Sequence, residues 1–352
     1  MFFTASEFPM SESPPVSVEQ LEDRLSQPSP QAVEALAQLP GDLLILGVGG
    51  KMGPTLARMA KRAAEAAGVP RRVIGVSRFS DDRLRSRLAA WGIETLACDL
   101  LNETAVAALP DVPNVIFMAG MKFGASQNPA LTWAMNCYAP ALVCRCFRGS
   151  RIAAFSSGNV YPFVPLDSRG SRETDEVGPV GEYAMSVLGR ERTLQYFSHR
   201  DQIPAALLRL NYATELRYGV LVDIAQDVWA DRPVDLATPM CNVIWQADAN
   251  AMALAALTHV AVPPRIINLA GPELLRVRDV AEQFGRLLNK PVRFTGQEGS
   301  TALLNDGSYG RQLLGDIRVD VETMLRWIAD WIRQGGEHLG KPTHFQVRSG
   351  SF

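Results

Sequence analysis

Residues 41–68 read GDLLILGVGGKMGPTLARMAKRAAEAAG, and this stretch decides the fold. Four apolar residues, Leu43 to Leu46, run into Gly47-Val48-Gly49-Gly50-Lys51-Met52-Gly53, and an Ala-rich amphipathic segment follows. A short apolar run, a glycine turn and a long helical period spell strand, turn and helix. Glycines at such a bend let the backbone approach a diphosphate held at the positive end of the helix. The pattern is weak by itself, but between a buried strand and a helix it points to dinucleotide binding. A tight turn with no ligand is the plainer alternative. Cofactor contacts are accordingly expected from Gly47, Gly49, Gly50, Lys51, Met52 and Gly53.

The alternation continues downstream. RRVIGVSR, IETLACDL, NVIFMAG, RIAAFSS, PAALLRL and RIINLAG read as six further strands, interleaved with helical patterns. Apolar strands alternating with helices predict an α/β fold, a Rossmann-type doubly wound parallel sheet covered on both faces. Residues 1–40 read as an N-terminal helical arm, with patterns around Val18–Leu25 and Gln31–Leu39. Residues 41–210 form the expected dinucleotide-binding domain. After Asn211 the rhythm weakens: 211–245 reads as irregular, 246–270 as a return to the sheet, and 291–352 as short elements with a polar tail.

Composition narrows the function. The chain has 352 residues, 47% hydrophobic and 20% charged, ordinary globular values with ample material for a core. Its 35 Lys and Arg against 37 Asp and Glu leave a formal charge of −2, so there is no electrostatic case for nucleic acid or an anionic membrane. Five cysteines without a C-x-x-C pair, and four histidines, argue against a disulfide framework or a metal site. The opening MFFTASEFPM has neither a basic start nor a long apolar run, unlike a signal peptide. No stretch approaches the roughly 20 apolar residues of a membrane span. A cytoplasmic protein with a small-molecule partner is expected.

The second strand ends Val76-Ser77-Arg78, with no acid at its tip. A hydroxyl and a guanidinium suit a 2′-phosphate that a carboxylate would repel, so NADP is favoured over NAD. Asp99, after the third strand, is placed to accept the adenine amino group or simply to start a helix. Leu100, Ala119 and Gly120 complete the expected cofactor contacts.

Two further segments carry a family resemblance. Ser156-Ser157-Gly158-Asn159-Val160-Tyr161 closes the fifth strand, and Tyr183-Ala184-Met185-Ser186-Val187-Leu188 opens a helix, with Glu191 beyond. With GVGGKMG they resemble the extended short-chain dehydrogenase/reductases, which include nucleotide-sugar epimerases and dehydratases. The family patterns are SS-x-x-VYG and Y-x-x-S-K-L-x-x-E, and the resemblance covers about Gly41 to Gly271. It implies a smaller C-terminal substrate domain, mainly 211–352. It also implies an NAD(P)-dependent oxidoreductase or epimerase that moves hydride at a secondary alcohol or ketone of a sugar-like molecule. A homodimer is expected by analogy. Ser157 would orient the reacting oxygen, and Tyr183 would exchange its proton.

One position departs from the pattern. Val187 stands where the family has lysine, whose charge is worth roughly 1–4 kcal/mol to a tyrosinate. Three readings follow. Lys122, just after the fourth strand, supplies the charge, Arg190 being about two turns beyond Tyr183. Or Tyr183 works unaided. Or the site binds nucleotide without redox chemistry, leaving a catalytically impaired sensor or regulatory protein. Pro140 cannot donate to the carbonyl of Asn136, so Asn136 either holds a water in a proton relay or marks a plain kink. Substrate contacts are expected from Asn211, Arg217 and Tyr218. Trp245 and Asn242 are expected to cap the pocket, and Asp248 occupies the place of the family's Asp-led helix.

Overall fold

The computed structural model describes residues 13–122 and 124–350, so the MFFTASEFPM stretch lies outside the described residues. Its frame is a seven-stranded parallel sheet. In chain order the strands are β1 (Leu43–Leu46), β2 (Val73–Ser77), β3 (Glu94–Ala97), β4 (Asn114–Phe117), β5 (Arg151–Ser157), β6 (Ala205–Leu210) and β7 (Arg265–Leu269). Their spatial order is β7-β6-β5-β4-β1-β2-β3, and every neighbouring pair is parallel. All seven expected strands are present. On β1, Leu43 and Ile45 enter one core while Leu44 and Leu46 enter the other, as a strand covered on both faces requires. β3 differs because it is the edge strand: it is half-exposed. The strand order reverses between β1 and β4, and ligands of open α/β sheets bind outside the carboxyl ends at such a point.

Helices α1 (Val18–Leu25), α2 (Pro30–Gln38), α3 (Gly53–Ala66) and α4 (Asp82–Ala90) share the core on the Leu43 face. Ser17 and Ser29 accept hydrogen bonds from the Gln20 and Ala32 backbone N–H groups, satisfying donors that open a helix. Leu21, Leu25 and Leu36 are then fully buried, so the arm is part of the core. The opposite face is covered by α5 (Ala139–Cys146) and α6 (Gly181–Asp201).

Three stretches differ from the sequence reading. The helical pattern NPALTWAMNCYAPALVCRCF, residues 128–147, which reads as one helix, comprises an α-turn at Pro129–Trp133, a π segment at Ala134–Tyr138, and then α5. Pro140 opens α5 and has no N–H to give, so the preceding turn widens instead of simply kinking. The stretch read as irregular contains α7 (Val220–Trp229), whose Val220, Leu221, Val222, Ile224, Ala225 and Val228 are buried. Its β-branched residues weaken the local helical signal; burial overrides it. The C-terminal region contains a 13-residue helix, Val321–Arg333. α8 (Gln246–Ala255) packs on α2 and α3 before β7 joins the sheet edge. Among the described residues no helix is long and apolar enough to cross a membrane.

Candidate active site

A cavity of about 1010 Å³ lies along the carboxyl ends of β1, β2, β4, β5 and β6, large enough for a dinucleotide or a sizeable substrate. The glycine turn forms its floor through Gly49, Gly50, Lys51 and Met52. A side chain added at Gly50 would meet no protein atom closer than 3.4 Å. The room it leaves therefore faces the cavity, and a diphosphate fits there. Ser77 and Arg78 line the wall beyond, followed by Phe79, Ser80 and Asp81. Gly47, Gly53, Asp99, Leu100 and Ala119 are not among the lining residues, whereas Gly120 is. The Asp99 carboxylate accepts the Leu101 N–H at 3.0 Å and shapes the turn after β3.

Ser157 ends β5 and Tyr183 sits in the first turn of α6; both line the cavity. The Ser157 hydroxyl donates to Asn159 Oδ1 at 3.0 Å and accepts the Asn159 N–H at 3.2 Å, fixing its direction. Ser156 donates to Glu191 Oε1 at 2.5 Å, and Glu191 is paired bidentately with Arg209 at 2.9 and 2.7 Å. This buried pair ties α6 to β5 and β6, holding the tyrosine's helix over the serine's strand.

Val187 is buried with Val160 and Tyr161, and Tyr183 packs against that cluster. Two cations approach from elsewhere. Lys122 Nζ lies 5.8 Å from the Tyr183 ring centroid and donates to the Thr343 carbonyl at 3.4 Å. Burial pulls its ammonium down to about 8. Arg190 was expected too far along its helix. Its long side chain reaches back, as helical side chains do, and lines the cavity. There it donates to the Phe155 carbonyl at 2.7 Å and to Asn136 Oδ1 at 2.6 Å. A side chain at Gly120 would collide with its Nη2 at 2.3 Å, so Gly120 is the space that admits the guanidinium. Burial lowers the affinity of Arg190 for its proton, and the Tyr183 phenol opposes that fall.

Asn136 does not line the cavity. Its amide donates to the Met121 carbonyl at 3.1 Å and to Ser186 Oγ at 2.8 Å, and accepts the Met121 N–H at 3.1 Å. With Arg190 on the same oxygen, that side chain positions its neighbours; it does not face a reactant. Arg217 and Tyr218 line the cavity. Asn211 and Trp245 do not: the Asn211 amide bonds Asn242 at 2.8 Å, and Trp245 is fully buried, edge-on to Trp327 at 5.7 Å. Asn242 in turn donates to the Gly271 and Asn305 carbonyls. Asp248 is spent on Arg318 at 2.8 Å.

Several lining residues carried no sequence signal. Glu22 enters from α1, Arg87 from α4, and Leu339, Lys341 and Thr343 from the tail. Lys51 Nζ sits 3.3 Å from the Tyr218 ring centroid. Burial first, then the charges of Lys122 and Lys341, pull the Lys51 ammonium down to about 7.

Fold and cavity together define a Rossmann-type α/β protein whose Ser157 and Tyr183 line one cavity at the carboxyl edge of the sheet. Residues 43–213 match the model of the NAD dependent epimerase/dehydratase family. This segment, which holds the glycine turn, Ser157 and Tyr183, belongs to that family. Among solved structures, a variant of UDP-glucuronic acid 4-epimerase from Bacillus cereus, with NAD and a fluorinated UDP-sugar, gives a TM-score of 0.71 at 16% identity. It covers 83% of this chain and 99% of that one. A dTDP-glucose 4,6-dehydratase from Streptomyces venezuelae with NAD bound gives 0.69 at 17% identity, covering 83% and 97%. UDP-glucose 4-epimerase from Thermotoga maritima gives 0.67 at 14% identity, covering 84% and 99%. At these identities the likeness is one of fold. Comparison with curated protein sequences finds no match.

Proposed function

We propose that this protein is an NAD(P)-dependent epimerase, dehydratase or oxidoreductase acting on a secondary alcohol or ketone of a sugar-like molecule. The observation that carries this is the single cavity shared by the glycine turn, Ser157, Tyr183 and Lys122. Gly49 to Met52 would hold the cofactor's diphosphate. Ser77 and Arg78 would hold its adenosine ribose and favour a 2′-phosphate. The nicotinamide, when bound, supplies hydride transfer. Ser157 would then orient the substrate oxygen, and Tyr183 would take the proton from that atom as tyrosinate or give one to it as the hydroxyl. Lys122, 5.8 Å from the Tyr183 ring centroid, and Arg190, on the same cavity wall, would bring positive charge to the site that Val187 does not. Tyr218, Lys341 and Thr343 would form the substrate side, whereas Arg217, held by Glu22 and Glu215, would face the adenosine end. Sugars linked to UDP, as bound in two structural neighbours, or to dTDP, as in the name of a third, are the first substrates to try.

The test is a panel of UDP- and dTDP-hexoses and hexuronates with NAD and NADP, scoring both nicotinamide absorbance and isomer formation. Tyr183→Phe is expected to lower any turnover about 10²- to 10⁴-fold. Full turnover in that variant would remove Tyr183 from the chemistry.

A further inference from the structure

The tip of β2 lacks the acid that meets the adenosine ribose in NAD sites, yet the cavity wall beside it contains a carboxylate. Glu22 is buried on α1 and lines the same cavity as Ser77 and Arg78. Its Oε1 accepts from Arg87 at 2.7 Å and from Arg217 at 3.4 Å. The path to the ribose wall is short. A side chain at Gly49 would meet Ser77 Oγ at 2.5 Å and Leu84 Cδ2 at 3.8 Å, so glycine turn, β2 tip and α4 are in contact there. Arg87 stands one turn beyond Leu84 on the same face of α4, and its guanidinium meets Glu22.

We propose that Glu22, delivered by the N-terminal helix, is a specificity-determining residue that restrains binding of a 2′-phosphorylated dinucleotide; this rests on the dinucleotide reading above. It acts in two ways of the same sign. Its own charge repels a 2′-phosphate, and it occupies two guanidiniums that would otherwise attract one. Arg217 is held on its other side by Glu215 at 3.0 Å. The cluster of Glu22, Glu215, Arg87 and Arg217 is therefore neutral, and removing the Glu22 charge leaves it at +1. Arg78 remains the cation that draws a 2′-phosphate, and Glu22 sets how far that preference goes. A bridge that merely pins the arm to the body would not distinguish NAD from NADP.

The experiment measures NAD and NADP dissociation constants by calorimetry for the full chain and for Glu22→Gln. The expected result is a shift of about tenfold in favour of NADP relative to NAD, the scale for one charge acting across roughly 12 Å at an effective dielectric of about 20. Arg87→Gln, which keeps the carboxylate and removes a cation, is expected to shift the ratio the other way, and it stands in if Glu22→Gln does not fold. Ratios within twofold of wild type in the folded variants would overturn the proposal while leaving dinucleotide binding intact. Wild-type protein that binds neither nucleotide would instead overturn the functional reading, and this proposal with it.

Discussion

Tyr183 has two cations in reach, and they respond differently to pH. Arg190 is a guanidinium and stays charged throughout the neutral range. Lys122 and, farther along the cavity, Lys51 are drawn down from 10.5 to about 8 and about 7. Both shifts mean that the unfolded chain binds more protons than the folded one between about pH 7 and 10.5. The ligand-free protein therefore gains stability as pH rises through that window, and the contribution is lost as pH falls below it. An anion seated between the lysines restores their charge. Binding of NAD or NADP at pH 8 is accordingly expected to take up protons, read as a dependence of the calorimetric heat on buffer ionisation enthalpy. Lys51→Met should reduce the uptake. Equal heats in every buffer for the wild type would show that the lysines do not meet the bound anion.

At the level of elements, the arm is the informative case. Two short helices at 18–25 and 30–38 are each below the length at which a helix holds in water by itself. They persist because Leu21, Leu25 and Leu36 are buried against the body. Leu36→Ala is expected to destabilise the protein by about 2–5 kcal/mol, measured by urea unfolding, and to loosen Glu22 with it. A loss below about 0.5 kcal/mol would mean the arm is not packed as described. The arm's helical spacing was legible in the sequence, but its docking site was not, because amphipathic period says which face is apolar and not what it meets. The π segment at Ala134–Tyr138 shows the same limit. Pro140 announced a disturbance, and only the packing of Asn136 on Met121, Ser186 and Arg190 selected the form it took.

At the scale of the molecule, α1 and the segment 339–343 both add residues to the cavity lining. The tail is tied down where the Thr343 N–H and hydroxyl donate to Asp223 at 2.7 and 2.6 Å, and where the Leu339 N–H donates to the Arg217 carbonyl at 3.2 Å. Farther on, Arg348 donates to the Thr301 carbonyl at 2.7 Å. Asp223→Ala removes the first anchor. Amides of residues 339–345 are then expected to exchange at least about tenfold faster, roughly the loss of one charge-assisted hydrogen bond, in hydrogen-exchange mass spectrometry. Unchanged protection there would show that the tail is held by its other contacts.

The strands, the glycine turn and the placing of Ser157 and Tyr183 at one sheet edge were legible in the sequence alone. Alternating period, turn chemistry and motif spacing are local properties, and they survive being read without a structure. The charge environment of that pair was not local. Glu22 and Lys341 come from opposite ends of the chain, and Arg190 had to fold back past Gly120 to reach Asn136. Only the tertiary structure brought them to one cavity, because electrostatic contact depends on distance in space and leaves no regular spacing along the chain.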